Sequence, residues 1–197
     1  MKETPIKKKY EAIVIGASAG GLAALTAILP NLSKFLALPV IVVQHLSPDS
    51  DDFLATHFNR ICSLCVKEAE DKEPIMDNTI YFAPANYHLM VEQDKTIALS
   101  TAERVQYSRP AIDVLFETAA DAYADRLIGI ILTGSNSDGT KGIQRIRELK
   151  GLVIAQSPES AQVNIMPLSA INQAGVDKIL DLKEIAPYIN QITEKET

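Results

Sequence analysis

Short apolar runs recur along this chain at spacings too wide for hairpins. Ala12–Ile15, Val40–Val43, Leu127–Leu132 and Leu152–Ala155 each lie between stretches with helical periodicity. A strand that is apolar at every position must be covered on both faces, because a half-exposed strand would alternate. Such strands separated by helices form a parallel sheet with helical crossovers on both sides. The expected fold class is therefore α/β, a three-layer αβα, doubly wound, mainly parallel sheet. Thr79–Phe82 adds a strand that breaks before Pro84, Cys65–Ala69 a short edge strand, and Val176–Leu180 a last strand-like segment. Helices are expected over Leu22–Leu29, Phe53–Ile61, Ala111–Ala124, Gly139–Leu149, part of Ser160–Gln173, and Leu182–Ile192. One segment departs from the pattern. Leu89–Glu92 and Thr96–Leu99 flank Gln93-Asp94-Lys95, which predicts a small antiparallel hairpin near residues 89–99.

The 197 residues suit one domain, expected over residues 11–193 after a disordered leader at 1–10. A net charge of −6 argues against a general nucleic-acid partner, which needs a basic face. No apolar run approaches the roughly 20 residues that span a bilayer, and no apolar stretch follows the N-terminal lysines as in a secretory signal. A cytoplasmic protein without membrane insertion is expected. Cys62 and Cys65 form a lone CxxC that follows a helical pattern instead of opening one. Redox pairs open helices, and structural zinc takes four ligands where His57 would supply only a third. The reading is two buried, inert cysteines and no metal.

In a parallel sheet, ligands and reacting groups gather just past the carboxyl ends of the strands. After the first strand stands Gly16-Ala17-Ser18-Ala19-Gly20-Gly21; after the second, Gln44-His45. After Leu127–Leu132 stands Thr133-Gly134-Ser135-Asn136-Ser137-Asp138-Gly139. A hydroxyl, an imidazole and a carboxylate thus reach one sheet edge from three crossovers. That set performs acyl transfer: serine attacks, histidine takes its proton, and the carboxylate orients the imidazole. Each residue alone has an ordinary reading. Ser18 could sit in a tight turn, His45 could be a core histidine, and Asp138 is a good N-cap for the next helix. A nucleotide-binding α/β protein is a further alternative. It would use the Gly16–Gly21 turn, but Ser18 replaces the middle glycine of G-x-G-x-x-G and no acid ends the second strand. His88 is read as structural, with lining the site as the alternative. Lys141, Arg145 and Arg147 form a solvated face or a docking patch for an acidic partner. Arg109 stands where the polar loop meets the long helix and could reach a substrate carboxylate.

Six segments are similar, in order, to the CheB-type chemotaxis receptor methylesterase catalytic domain. They are Ile15-Gly-Ala-Ser-Ala-Gly-Gly21, Val43-Gln-His-Leu46, Ala83-Pro-Ala-Asn-Tyr-His88, Ser108-Arg-Pro-Ala-Ile-Asp-Val-Leu-Phe116, Leu132-Thr-Gly-Ser-Asn-Ser-Asp-Gly139 and Met166-Pro167. The resemblance spans about residues 10–192. It implies hydrolysis of glutamyl methyl esters on the cytoplasmic helices of methyl-accepting chemoreceptors, with glutamine deamidation as a second reaction and no cofactor. It carries the family's serine, histidine and aspartate onto Ser18, His45 and Asp138. The backbone N–H of Ser135, beside that of Ala19, becomes an oxyanion donor. Ser135-Asn136 replaces the family's usual Met-Gly, and Leu168 replaces a usual arginine. The short leader leaves no room for a phosphoacceptor receiver domain, so control by a separate protein is expected. A non-catalytic, receptor-binding regulatory domain is the remaining alternative.

Overall fold

The strands are β1 (Ala12–Ala17), β2 (Val40–Gln44), β3 (Cys65–Glu68), β4 (Thr79–Phe82), β5 (His88–Val91), β6 (Ile97–Ser100), β7 (Leu127–Ile131), β8 (Leu152–Gln156) and β9 (Lys178–Leu180). The structure, a computed structural model, describes residues 10–45 and 53–193. The expected leader, Tyr10 excepted, and Leu46 of the second segment lie outside that range. Seven strands form one sheet in the order β3-β4-β2-β1-β7-β8-β9, with every pairing parallel. β5 and β6 form the separate antiparallel pair, turning at Glu92–Thr96 with Lys95 in the left-handed region at φ 64°.

Helices α1 (Gly21–Ile28), α2 (Phe53–Ile61) and α6 (Leu182–Thr193) cover one face; α3 (Ile112–Tyr123), α4 (Thr140–Glu148) and α5 (Ile165–Ser169) cover the other. The strand residues divide accordingly. Ile13, Ile15, Val40 and Val42 pack with Leu25, Phe58 and Ile185, while Ala12, Val14, Ile41 and Val43 pack with Ile112, Phe116 and Ile143. Both side-chain sets of β1 and β2 are buried, as unbroken apolar runs require. The hairpin places Leu89 and Ile97 against α3.

As expected, helix forms over part of 160–173: α5, followed by a wide helical turn at Ala170–Ala174. The stretch before α5 is tied to the turn after β7 instead. The Val163 N–H donates to Thr133 Oγ1 at 2.9 Å and its carbonyl accepts from the Gly134 N–H at 2.9 Å. That stretch braces the turn after β7. α3 and α4 approach closely at Gly142, where a Cβ would stand 2.3 Å from Phe116 Cβ. The chain order reverses between β1 and β7, since β2 lies on one side of β1 and β7 and β8 on the other. Open α/β sheets bind ligands at such a reversal.

Candidate active site

Ser18 and His45 each stand one residue beyond a strand, and the ladder continues through both. β1 and β2 end in register at Ala17 and Gln44; the His45 N–H then donates to Ala17 O at 3.0 Å. On the other side of β1 the Ser18 N–H donates to Thr133 O at 3.0 Å. The rigid sheet therefore sets both backbones. In nucleophile elbows the serine itself sits on the strained bend. Here the left-handed residue is Gly20, at φ 80°, and Ser18 has no positive φ. The sharp bend falls two residues later, where glycine adopts it at no steric cost. Gln44, which the sequence reading passed over, locks the pair together. Its Nε2 donates to Ser18 O at 2.9 Å and to His45 O at 3.0 Å.

His45 Nδ1 lies 3.1 Å from Ser18 Oγ, and Nε2 lies 2.7 Å from Asp138 Oδ2. A carboxylate can only accept, so Nε2 carries the proton and Nδ1 offers its lone pair to the serine hydroxyl. The two ring nitrogens have exchanged the positions they hold in chymotrypsin-like triads, with the same logic of base and orienter. The Asp138 side chain is fully buried, while that of His45 is 12% exposed. The imidazole thus reaches the surface with a dry carboxylate behind it.

Asp138 does not cap its own helix. The cap position of α4 is Gly139, with no side-chain bond. The Asp138 carboxylate instead accepts from the first N–H groups of α3: Ile112 N to Oδ2 at 2.7 Å and Asp113 N to Oδ1 at 2.9 Å. The positive end of α3 faces it. α3 has no side-chain cap of its own, so Asp138 completes that helix from another part of the chain.

The two expected oxyanion donors, Ala19 and Ser135, lie on turns tied to one another. Thr133 Oγ1 donates to Ala19 O at 2.8 Å, beside the Ser18–Thr133 bond already described. The Thr133 N–H donates to the buried Gln156 Oε1 at 2.9 Å, and the Met166 N–H to Gly134 O at 3.0 Å. Among the described residues, neither the Ala19 nor the Ser135 N–H has a protein acceptor.

Other expected residues lie elsewhere. The Arg109 guanidinium is engaged by its own loop: Nη1 donates to Thr101 O at 2.5 Å and Ala102 O at 2.9 Å, Nη2 to Asn86 Oδ1 at 2.7 Å. His88 is buried and structural. Its Nδ1 accepts from the Ala111 N–H at 3.2 Å, which puts the ring proton on Nε2, 2.9 Å from Glu103 O. Arg145 pairs with Asp121 and Glu148, and Arg147 donates to Ala174 O, as on a solvated face. The expectation of two buried cysteines fails for Cys65, which is exposed on an edge strand; Cys62 is half-buried, and burial pushes its thiol up to about 11. His57 stacks on Phe53. Among the described residues, no acid stands at the end of β2, where a nucleotide ribose would need one: the strand ends in Gln44 and His45 follows, both engaged with Ser18. Among the described residues, no group of three His, Cys, Asp or Glu could hold a metal, and no helix is long and apolar enough to cross a membrane.

A serine, a histidine and an aspartate joined in one hydrogen-bonded line at the reversal of a parallel sheet define a hydrolase-type α/β site. Within that class the family is specific: the CheB methylesterase family model matches residues 13–189, and the chain belongs to that family. The crystal structure of the Thermotoga maritima CheB methylesterase catalytic domain superimposes with a TM-score of 0.89 at 35% identity, covering 93% of this chain and 99% of that one. A Leptospira interrogans protein, named provisionally as a protein-glutamate methylesterase/protein-glutamine glutaminase, is 50% identical over 177 residues, 90% of this chain and 92% of its own length. The protein-glutamate methylesterase/protein-glutamine glutaminase of Archaeoglobus fulgidus is 36% identical over 95% of this chain but only 55% of its own length.

Proposed function

We propose that this protein hydrolyses glutamyl methyl esters on the cytoplasmic helices of methyl-accepting chemoreceptors, through an acyl-enzyme on Ser18. The observation that carries this is the line Ser18 Oγ, His45 Nδ1, His45 Nε2, Asp138 Oδ2, at 3.1 and 2.7 Å. Ser18 Oγ attacks the γ-carbonyl carbon of the methylated glutamate as its proton passes to Nδ1. The imidazolium is held by Asp138. The oxyanion of the tetrahedral adduct is taken by the N–H groups of Ala19 and Ser135, where losing one such donor typically costs about 10²–10³ in rate. Collapse breaks the bond to the methoxy group, and Nδ1–H delivers its proton to departing methanol. Water then enters, gives a proton to Nδ1 and attacks the glutamyl-serine ester; the second collapse restores the hydroxyl and frees the glutamate. A glutamine side chain passes through the same steps and releases ammonia.

Family membership supports the substrate class, and a backbone oxyanion donor tolerates the Ser135-Asn136 departure because a side-chain change leaves its N–H. The test is methanol release from methylated receptor segments, comparing wild type with Ser18→Ala. Turnover should vanish in the variant without loss of stability. Full turnover by Ser18→Ala would remove Ser18 from the mechanism.

A further inference from the structure

Asp113 is the second buried carboxylate beside the relay, and nothing in the proposed reaction uses it. It occupies the first turn of α3, with 2% exposure. Its Oδ1 accepts from the Gly142 N–H in the first turn of α4 at 2.9 Å, and Oδ2 accepts from Gln106 Nε2 at 2.9 Å. The two helices therefore cap each other. Asp138, just before α4, accepts from the N-terminus of α3; Asp113, on α3, accepts from that of α4. Gln106 closes a third side, for its Oε1 accepts from Ser137 Oγ at 3.0 Å, one residue from Asp138. Gln106 and Tyr107 both hold positive φ, 48° and 66°, in a two-residue turn closed by Val105 and Ser108. Non-glycine residues rarely adopt this conformation and persist in it when the surroundings fix them. The bends of this turn aim Gln106 at Asp113.

We infer that Asp113 is a positioning residue: through the interlocked caps and Gln106, it fixes the Asp138 carboxylate in line with His45. Burial pushes the Asp113 carboxyl above the usual carboxylate range, and Asp138 adds to the rise, while the N–H donors of Gly142 and Gln106 pull the other way. Its charge also lies near the relay. The charged groups around it are Asp138 on the loop before α4, Glu117 one turn along α3, and Lys141 on α4, which faces Glu117.

This inference rests on the proposed hydrolase reading. Its test uses the full chain and two variants, Asp113→Asn and Asp113→Ala, with two readouts. One is methanol release from a methylated receptor segment. The other is the rate at which a fluorophosphonate labels Ser18, which needs no receptor. Asparagine keeps an acceptor for Gly142, and Gln106 can turn its amide to accept from the new NH₂ while Ser137 Oγ accepts in turn. Asp113→Asn should therefore keep the geometry and lose the charge. It should retain kcat and the labelling rate within about threefold. Asp113→Ala should lose kcat at least tenfold with KM nearly unchanged. A role confined to folding would lower stability in both variants and leave the kcat and labelling rate of the folded protein at wild-type values; that result overturns the inference. Should Asp113→Ala not fold, Gln106→Ala is measured in its place: it removes the donor to Asp113 Oδ2 and the acceptor for Ser137, should slow both labelling and kcat at unchanged KM, and wild-type rates in it overturn the inference. Wild-type labelling without methanol release would count against the substrate and leave this test intact.

Discussion

Removing the Asp138 side chain should cost both stability and rate, in amounts that can be separated. In Asp138→Ala the N–H groups of Ile112 and Asp113, at 2.7 and 2.9 Å from the carboxylate, lose their acceptors inside the protein. A buried donor left unpaired costs about 1–3 kcal/mol, so the two cost about 2–6 kcal/mol together. For a domain of this size 1 kcal/mol moves Tm by roughly 2–4 °C, which predicts a fall of roughly 4–24 °C. The same deletion frees the imidazole, and loss of a triad carboxylate typically costs about 10⁴ in kcat. Asp138→Asn should behave differently. Its single carbonyl oxygen fits best at the Oδ2 position, where it satisfies both the Ile112 N–H and His45 Nε2, leaving only the Asp113 N–H facing an amide. The ring then keeps its proton on Nε2, and what is lost is the charge of one hydrogen bond, worth about 1.5–3 kcal/mol or roughly 10–100-fold. Thermal melts and methanol release on the three proteins read this out. The order expected in both quantities is wild type, Asn, Ala. An alanine variant with unchanged Tm and kcat within threefold would refute the reasoning, as would an asparagine variant slower than alanine.

Two further outcomes follow from local geometry. Gly142→Ala places a methyl 2.3 Å from Phe116 Cβ in the contact between α3 and α4, and overpacking of this kind costs about 1–3 kcal/mol. The melt should fall even though alanine is the better helix former, and kcat should fall with it because the caps on both helices shift. At pH 8 a maleimide should label the exposed Cys65 well before Cys62, whose thiol is held up at about 11; mass mapping of the first adduct checks the order.

The sheet was legible because its chemistry is local. Ile13 through Ile15 and Val40 through Val43 are apolar at consecutive positions, and only a strand covered on both faces tolerates that. The hairpin at Glu92–Thr96 announced itself by a polar turn between two strand patterns. The three relay residues could be picked because strand ends are where such sheets expose side chains. What local sequence could not carry was partnership across the chain. Asp138 precedes a helix and reads as its cap, yet its acceptor bonds go to α3, 25 and 26 residues back. Asp113 stands in the first turn of α3 but accepts from Gly142 on α4, a link no local pattern shows. Arg109 reads as a free cation at a loop end, but the loop folds back so that its carbonyls and Asn86 take the guanidinium. Gln44 offered a usable signal that was passed over: a polar residue closing an otherwise apolar, fully buried strand needs a partner nearby, and the next strand end holds it.

A covalent intermediate on Ser18 is the centre of the account, and acid-quenched turnover tests it most directly. Wild-type protein is mixed with a methylated receptor segment, quenched in acid during the first turnovers, digested and weighed by mass spectrometry. The account predicts that the peptide carrying Ser18 gains the mass of the glutamyl segment less methanol, and that Ser18→Ala shows neither the gain nor the methanol. An adduct on any other residue, or methanol released at the wild-type rate by Ser18→Ala, would contradict it.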